Sequence, residues 1–81
     1  MKIYSYRGRC NIAGTRIREA REAENLSQEE LAARLQLLGL EITQKAISRI
    51  ETGDRVLPDY ELQFFAAALN KSILWLLSDN C

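Results

Sequence analysis

From Ser27 to Glu51 the apolar positions fall into two helical patterns joined by an apolar connector. Leu31, Ala32 and Leu35 recur on one helical face while Glu29, Glu30 and Arg34 fall outside it, which predicts an amphipathic helix with its apolar side toward a core. Ser27 followed by Glu30 three residues later is a capping box, each side chain satisfying a backbone N–H at the helix start. Thr43 is a second hydroxyl N-cap, and the helix it opens runs to Thr52. Within that helix Ile47, Ile50 and Glu51 form one stripe, leaving Gln44, Lys45, Ser48, Arg49 and Thr52 on the remaining surface. Between the two helices, Leu37, Leu38, Leu40 and Ile42 are too apolar for all to face water. The expectation is that the earlier helix runs on by a turn, that Gly39 ends it, and that Leu40 or Ile42 folds back onto the core.

The same reading extends outward. Asn11 or Thr15 caps a first helix that reaches about Glu24, with Asn25 as a left-handed stop. Ile17, Ala20 and Arg21 share its stripe, so Arg21 is carried to the core side; Arg16 and Arg18 point elsewhere and are expected to be solvated. After Gly53 stops the third helix, residues 54–58 form a loop and Asp59 is expected to cap a fourth helix. Leu62, Phe65, Ala66 and Leu69 make its core stripe, flanked by Tyr60, Phe64 and Ala68. Ser72 caps a short fifth helix, Ile73 to Leu77, in which Trp75 and Leu76 belong to the core. The fold class is all-α with five helices. Residues 1–10, which hold Ile3, Tyr4 and Tyr6 without a helical period, form an extended arm; residues 11–78 form the domain, and 79–81 a short tail.

The exposed face of the third helix offers a Gln, a Lys, a Ser and an Arg with no carboxylate. Gln pairs with the adenine edge in a DNA major groove, and Arg or Lys with the guanine edge. An ordinary solvated helix would also be polar, so composition alone does not decide between the two. Position does. The segments Ser27-Gln28-Glu29-Glu30-Leu31-Ala32 and Ile47-Ser48-Arg49-Ile50-Glu51, with Gly53, Ile17 through Arg21, and Pro58 through Leu77, resemble the helix-turn-helix family of phage repressors and Cro proteins, the xenobiotic-response-element family. The resemblance covers roughly residues 11 to 78 and implies a lambda-repressor-like DNA-binding domain with the helix over 44–52 in the major groove. Members usually have only a short Gly-containing turn between the two helices, whereas Gln36 to Ile42 looks about five residues longer here.

With that helix in the groove, residue chemistry makes Gln44, Lys45 and Arg49 candidates for base edges, and Thr43 and Ser48 candidates for base or backbone contacts. Gln28 and Arg55 match positions that hold DNA phosphates. Arg21 and Glu51, brought to the core side by their own helical stripes, match a structural ion pair of the family. The implied assembly is a homodimer on an inverted repeat of double-stranded DNA, acting as a transcriptional repressor. The rival is a protein-interaction module of the same shape, such as an antitoxin or an adaptor.

Charge bears on that rivalry. Lys plus Arg and Asp plus Glu both number 11, so the net charge is zero, against strong nonspecific DNA affinity. The charges are separated, however: six basic residues stand against Glu19 alone in residues 1–21, and acidic residues dominate the rest. Lys2, Arg7 and Arg9 of the arm would suit phosphates or a minor groove; a frayed terminus, or tyrosines meeting a second subunit, are the other readings of the arm.

With 47% hydrophobic but 7% aromatic residues, the core must be mostly aliphatic. The sequence has no His, and Cys10 and Cys81 match no metal spacing, so neither metal nor cofactor is expected; a disulfide between them stays open. No signal peptide and no membrane-length apolar run is seen, and the expected setting is cytoplasmic, with reduced thiols. The chain ends without an obvious linker, which favours a complete protein over a fragment. No catalytic constellation or phosphate-binding Gly-rich loop is visible, and the acidic pairs Glu22-Glu24 and Glu29-Glu30 lack the apolar walls that shift a pKa, so no enzyme activity is expected.

Overall fold

The computed structural model describes residues 5–78. Lys2, Ile3, Tyr4 and Cys81 lie outside the described residues. Five helices follow in order: α1 (Gly14–Ala23), α2 (Gln28–Leu37), α3 (Gln44–Thr52), α4 (Asp59–Leu69) and α5 (Ile73–Leu77). Among the described residues no helix is long and apolar enough to cross a membrane. α3 packs against both α1 and α2, while α4 closes the other side against α1, α2 and α5. Ile17, Leu31, Leu35, Ile47, Ile50, Phe65, Leu69 and Leu76 are the large side chains wholly removed from water, so every helix supplies at least one. Each such burial stabilises by roughly 1.5–3 kcal/mol relative to exposure.

The helix ends follow from local chemistry. Asn25 stands at φ 57°, and the Asn25 and Leu26 N–H groups return to the carbonyls of Glu22 and Arg21, closing α1 with a Schellman pattern. In α2 the Ser27 hydroxyl accepts from Glu30 N at 3.0 Å, and the Glu30 carboxylate accepts from Ser27 N at 2.8 Å. Thr43 caps α3 by accepting from Ala46 N, and Ser72 caps α5 by accepting from Trp75 N.

One of the next two caps differs from expectation and the other follows it. α4 starts from Pro58, whose φ of −61° already suits the entry, and Asp59 becomes the first helical residue with no side-chain cap bond. α1 has no side-chain cap from its N-cap residue Ala13; instead Asn11, two residues earlier, accepts from Gly14 N at 2.7 Å. The connector behaves as its apolarity requires. Gly39, at φ 106°, ends α2, and both Leu40 and Ile42 are buried, while Leu37 and Leu38 stay exposed. Gln36 pins the returning strand of chain by donating to Ile42 O at 2.9 Å.

Removing the Ser27 hydroxyl (Ser27→Ala) should cost about 1 kcal/mol in urea-induced unfolding. Backbone and hydroxyl hydrogen bonds from Ser27 hold the Glu30 carboxyl below its ordinary pKa. A carboxylate stabilised in this way supports the fold above its unfolded-state pKa and loses that support as the pH falls through the lower folded value. The stability gap between wild type and Glu30→Gln should therefore be open at neutral pH and close in acid. A gap independent of pH would count against the ionised cap.

Candidate nucleic-acid interface

The site is the outward face of α3, and its geometry begins with what fixes that helix. Ile47, Ile50 and Glu51 are buried, so rotation about the helix axis is set by the core. At the C-terminal end Gly53 takes the left-handed conformation at φ 87°. Here the arm does something that sequence reasoning missed. Arg9 donates through Nη2 to Glu51 O at 3.0 Å and through Nη1 to Thr52 O at 3.3 Å, placing a cation on the carbonyl end of α3. A Cβ on Gly53 would lie 2.7 Å from Arg9 Cζ, so a side chain there would push the guanidinium away from these carbonyls.

Cys10 N donates to Gly53 O at 2.8 Å, and a tight Tyr6–Arg9 turn with Arg7 and Gly8 at positive φ precedes it. The described part of the arm, residues 5–10, is thus tied to α3 and is not an extended, frayed end. Asn11 completes the tie: buried, it donates from Nδ2 to both Ile50 O and Arg55 O, at 3.0 and 2.8 Å.

Behind the face lies an ion pair. Arg21 Nε donates to Glu51 Oε2 at 2.7 Å and Nη2 to Oε1 at 3.1 Å, with the carboxylate side chain 3% and the guanidinium side chain 12% exposed. Hydrogen bonding to Glu51 is the main reason that the Arg21 pKa is raised further above its ordinary value. Arg21 also donates to Leu26 O, which joins the α1–α2 turn to the pair. From the same carboxylate a chain of amides runs outward: Gln28 Nε2 donates to Glu51 Oε1 at 3.0 Å, and Gln44 Nε2 donates to Gln28 Oε1 at 2.6 Å. Arg21, Ser27, Gln28, Glu29 and Gln44 line a shallow depression where the N-terminal ends of α2 and α3 meet.

Gln44, Lys45 and Arg49 are exposed on α3, Ser48 is half-buried, and Thr43 is exposed with its hydroxyl engaged in the cap. Gln28 is brought next to Gln44. Arg55, in the loop after α3, makes two bonds to Glu61, at 2.7 and 3.2 Å, and the buried Glu61 carboxylate raises its pKa. Glu61 had no signal in the sequence beyond its place in the first turn of α4. Nor are all α1 arginines solvated. Arg18 is exposed, but Arg16 lies 4.7 Å over the Trp75 ring with only 17% of its side chain exposed, because the long stem covers apolar surface near α5.

A family model described as helix-turn-helix matches residues 17–76, more than half of the chain. No curated protein and no solved structure gave a match.

Proposed function

The chain belongs to the XRE/Cro-C1-type helix-turn-helix family, a family of DNA-binding domains, and from that premise we propose that it is a repressor reading a specific double-stranded sequence with α3 in the major groove. The observation that carries the reading is the outward face of α3, where exposed Gln44, Lys45 and Arg49 stand without a carboxylate on a helix held at both ends. In this reading those three meet base edges, and Thr43 and Ser48 meet bases or the adjoining backbone. Gln28 meets a phosphate while holding Gln44 in place, which couples backbone position to base reading. Arg55 meets a second phosphate, with Glu61 fixing its guanidinium and offsetting part of its charge. The Arg21–Glu51 pair serves structure, not contact. A single small domain reads few base pairs, so the working form is a homodimer on an inverted repeat, with half-sites about one helical turn apart.

Selection from a random duplex library, run in parallel on wild type and on Lys45→Ala/Arg49→Ala, tests this. Wild type is expected to enrich an inverted repeat. The double variant should lose or relax it, since each bidentate base pair contributes roughly 1–3 kcal/mol of discrimination. If wild type enriches nothing at low salt, sequence reading by α3 is wrong.

A further inference from the structure

The orientation of one exposed side chain on α3 is decided by a group that never reaches the surface. Glu51 is buried, and its carboxylate accepts from Arg21 through both oxygens, at 2.7 and 3.1 Å. A carboxylate in that pairing offers acceptors and no donor. The half-buried Gln28 amide beside it therefore presents Nε2, which donates to Glu51 Oε1 at 3.0 Å, and turns its own Oε1 outward. An amide oxygen only accepts, so the exposed Gln44 in turn presents Nε2 to it, at 2.6 Å. Reversing either amide alone would set oxygen against oxygen. Gln44 is left with one N–H and its oxygen facing away from the chain, and it makes no other hydrogen bond among the described residues.

Resting on the reading of α3 as the helix in the major groove, we infer that Glu51 is a specificity-determining positioning residue: without touching DNA, it fixes the polarity of the Gln28 and Gln44 amides so that Gln44 takes adenine and refuses guanine. Adenine shows the major groove one acceptor, N7, and one donor, the N6 amine, which the free N–H and the oxygen of Gln44 match. Guanine shows two acceptors, N7 and O6, and so asks for two donors, but the second N–H of Gln44 is spent on Gln28. Thymine and cytosine each use only one of the two free groups, thymine through its O4 acceptor and cytosine through its N4 donor. An untethered glutamine keeps both N–H groups and can meet either purine. The choice between purines is thus made behind the reading face, by a carboxylate whose acceptor-only chemistry passes outward through two amides.

Selection from a random duplex library, followed by affinities for the enriched duplex with each base placed in turn at every position, tests this. Gln44→Ala marks the position concerned, as the one whose preference it abolishes. Wild type should hold adenine there over guanine by roughly tenfold or more. Two variants reverse the relay from behind. In Glu51→Gln the side-chain oxygen keeps the short bond from Arg21 Nε, the new amide N–H group faces Gln28, and both outer amides turn over, so Gln44 spends its oxygen inward and shows two N–H groups. Gln28→Lys leaves the Arg21–Glu51 pair whole, gives Glu51 an ammonium donor and removes the acceptor for Gln44, so it carries the test if Glu51→Gln does not fold. In both, the advantage of adenine over guanine should vanish or invert at that position, while the positions assigned by Lys45→Ala/Arg49→Ala keep their preferences. If wild type enriches no sequence, the reading of α3 fails and this inference with it. Where wild type enriches an operator, that reading stands, and four results overturn the inference alone: a base other than adenine at the Gln44 position, no position altered by Gln44→Ala, a wild-type ratio of adenine to guanine in Gln28→Lys, or a change spread evenly over all positions, which is what a merely structural role would give.

Discussion

Arg21→Met should cost about 3–5 kcal/mol of folding stability, the range for breaking a buried ion pair by removing one partner. The loss comes mainly from what remains. The Glu51 side chain is 3% exposed, and without the guanidinium it keeps, among the described residues, only the Gln28 amide, 3.0 Å away, as a side-chain donor. One neutral donor does not replace a bidentate cation in a site that water does not reach. For a domain of this size each kcal/mol shifts the melting temperature by about 4–8 °C, so the fall should be at least about 12 °C. A fall of one or two degrees would sink the assignment of this pair as a structural anchor. The double variant Arg21→Met/Glu51→Leu separates stranding from simple packing loss: with no charge left buried, it should be more stable than Arg21→Met alone. By contrast Arg18–Glu22, with both side chains more than half exposed, should contribute between about zero and 1 kcal/mol.

This pair bears on function as well as stability, because Glu51 is the inner end of the amide chain that ends at Gln44. An Arg21→Met protein that is still folded at low temperature should hold Gln28 less firmly, and with it Gln44, the first residue of α3.

What could be read from the sequence was what local chemistry decides. The stripe of Ile47, Ile50 and Glu51 follows from the helical period, and the caps at Ser27, Thr43 and Ser72 need only a hydroxyl and an N–H three residues on. The left-handed stops at Asn25 and Gly53 are equally local. Asp59 failed as a cap because Pro58 before it already supplies an extended entry residue, and two neighbours cannot both hold that position. The family match gives the fold and the general class of ligand, while the individual contacts of Gln44, Lys45 and Arg49 rest on exposure and residue chemistry.

What could not be read was what joins distant segments. Arg9 reaches carbonyls more than forty residues away, and nothing in MKIYSYRGRC distinguishes it from Arg7. Arg16 lies off the stripe of Ile17, Ala20 and Arg21, so its own helix points it to water, but Trp75 arrives from α5 to cover it. Arg55 carried a basic signal, whereas its buried partner Glu61 looked like any first-turn acid.

Gly14→Ala sets local and distant effects directly against each other. By helix propensity alone, alanine at the first residue of α1 should stabilise, by less than the roughly 1 kcal/mol of a helix interior. The structure predicts the opposite sign. A Cβ at position 14 would stand 2.0 Å from Ile50 O, 2.8 Å from Asn11 Oδ1 and 2.9 Å from Arg9 Nη2. The nearest of these is backbone of α3, which cannot yield without moving the helix, and the same carbonyl accepts the Asn11 amide that ties α3 to the arm. Overpacking of this kind costs typically 1–3 kcal/mol, and the backbone obstacle puts the expected net loss at the upper end, about 3 kcal/mol. Gly8→Ala is the comparison: among the described residues nothing lies within 4 Å of its added methyl, so its φ of +79° is what opposes the change, at about 1–2 kcal/mol. Urea unfolding of both variants checks the order. A Gly14→Ala protein as stable as wild type would mean that α1 and α3 do not cross this closely in solution. The expected loss should also appear in DNA selection at temperatures where the variant is folded, because the displaced element is the helix that carries Gln44, Lys45 and Arg49.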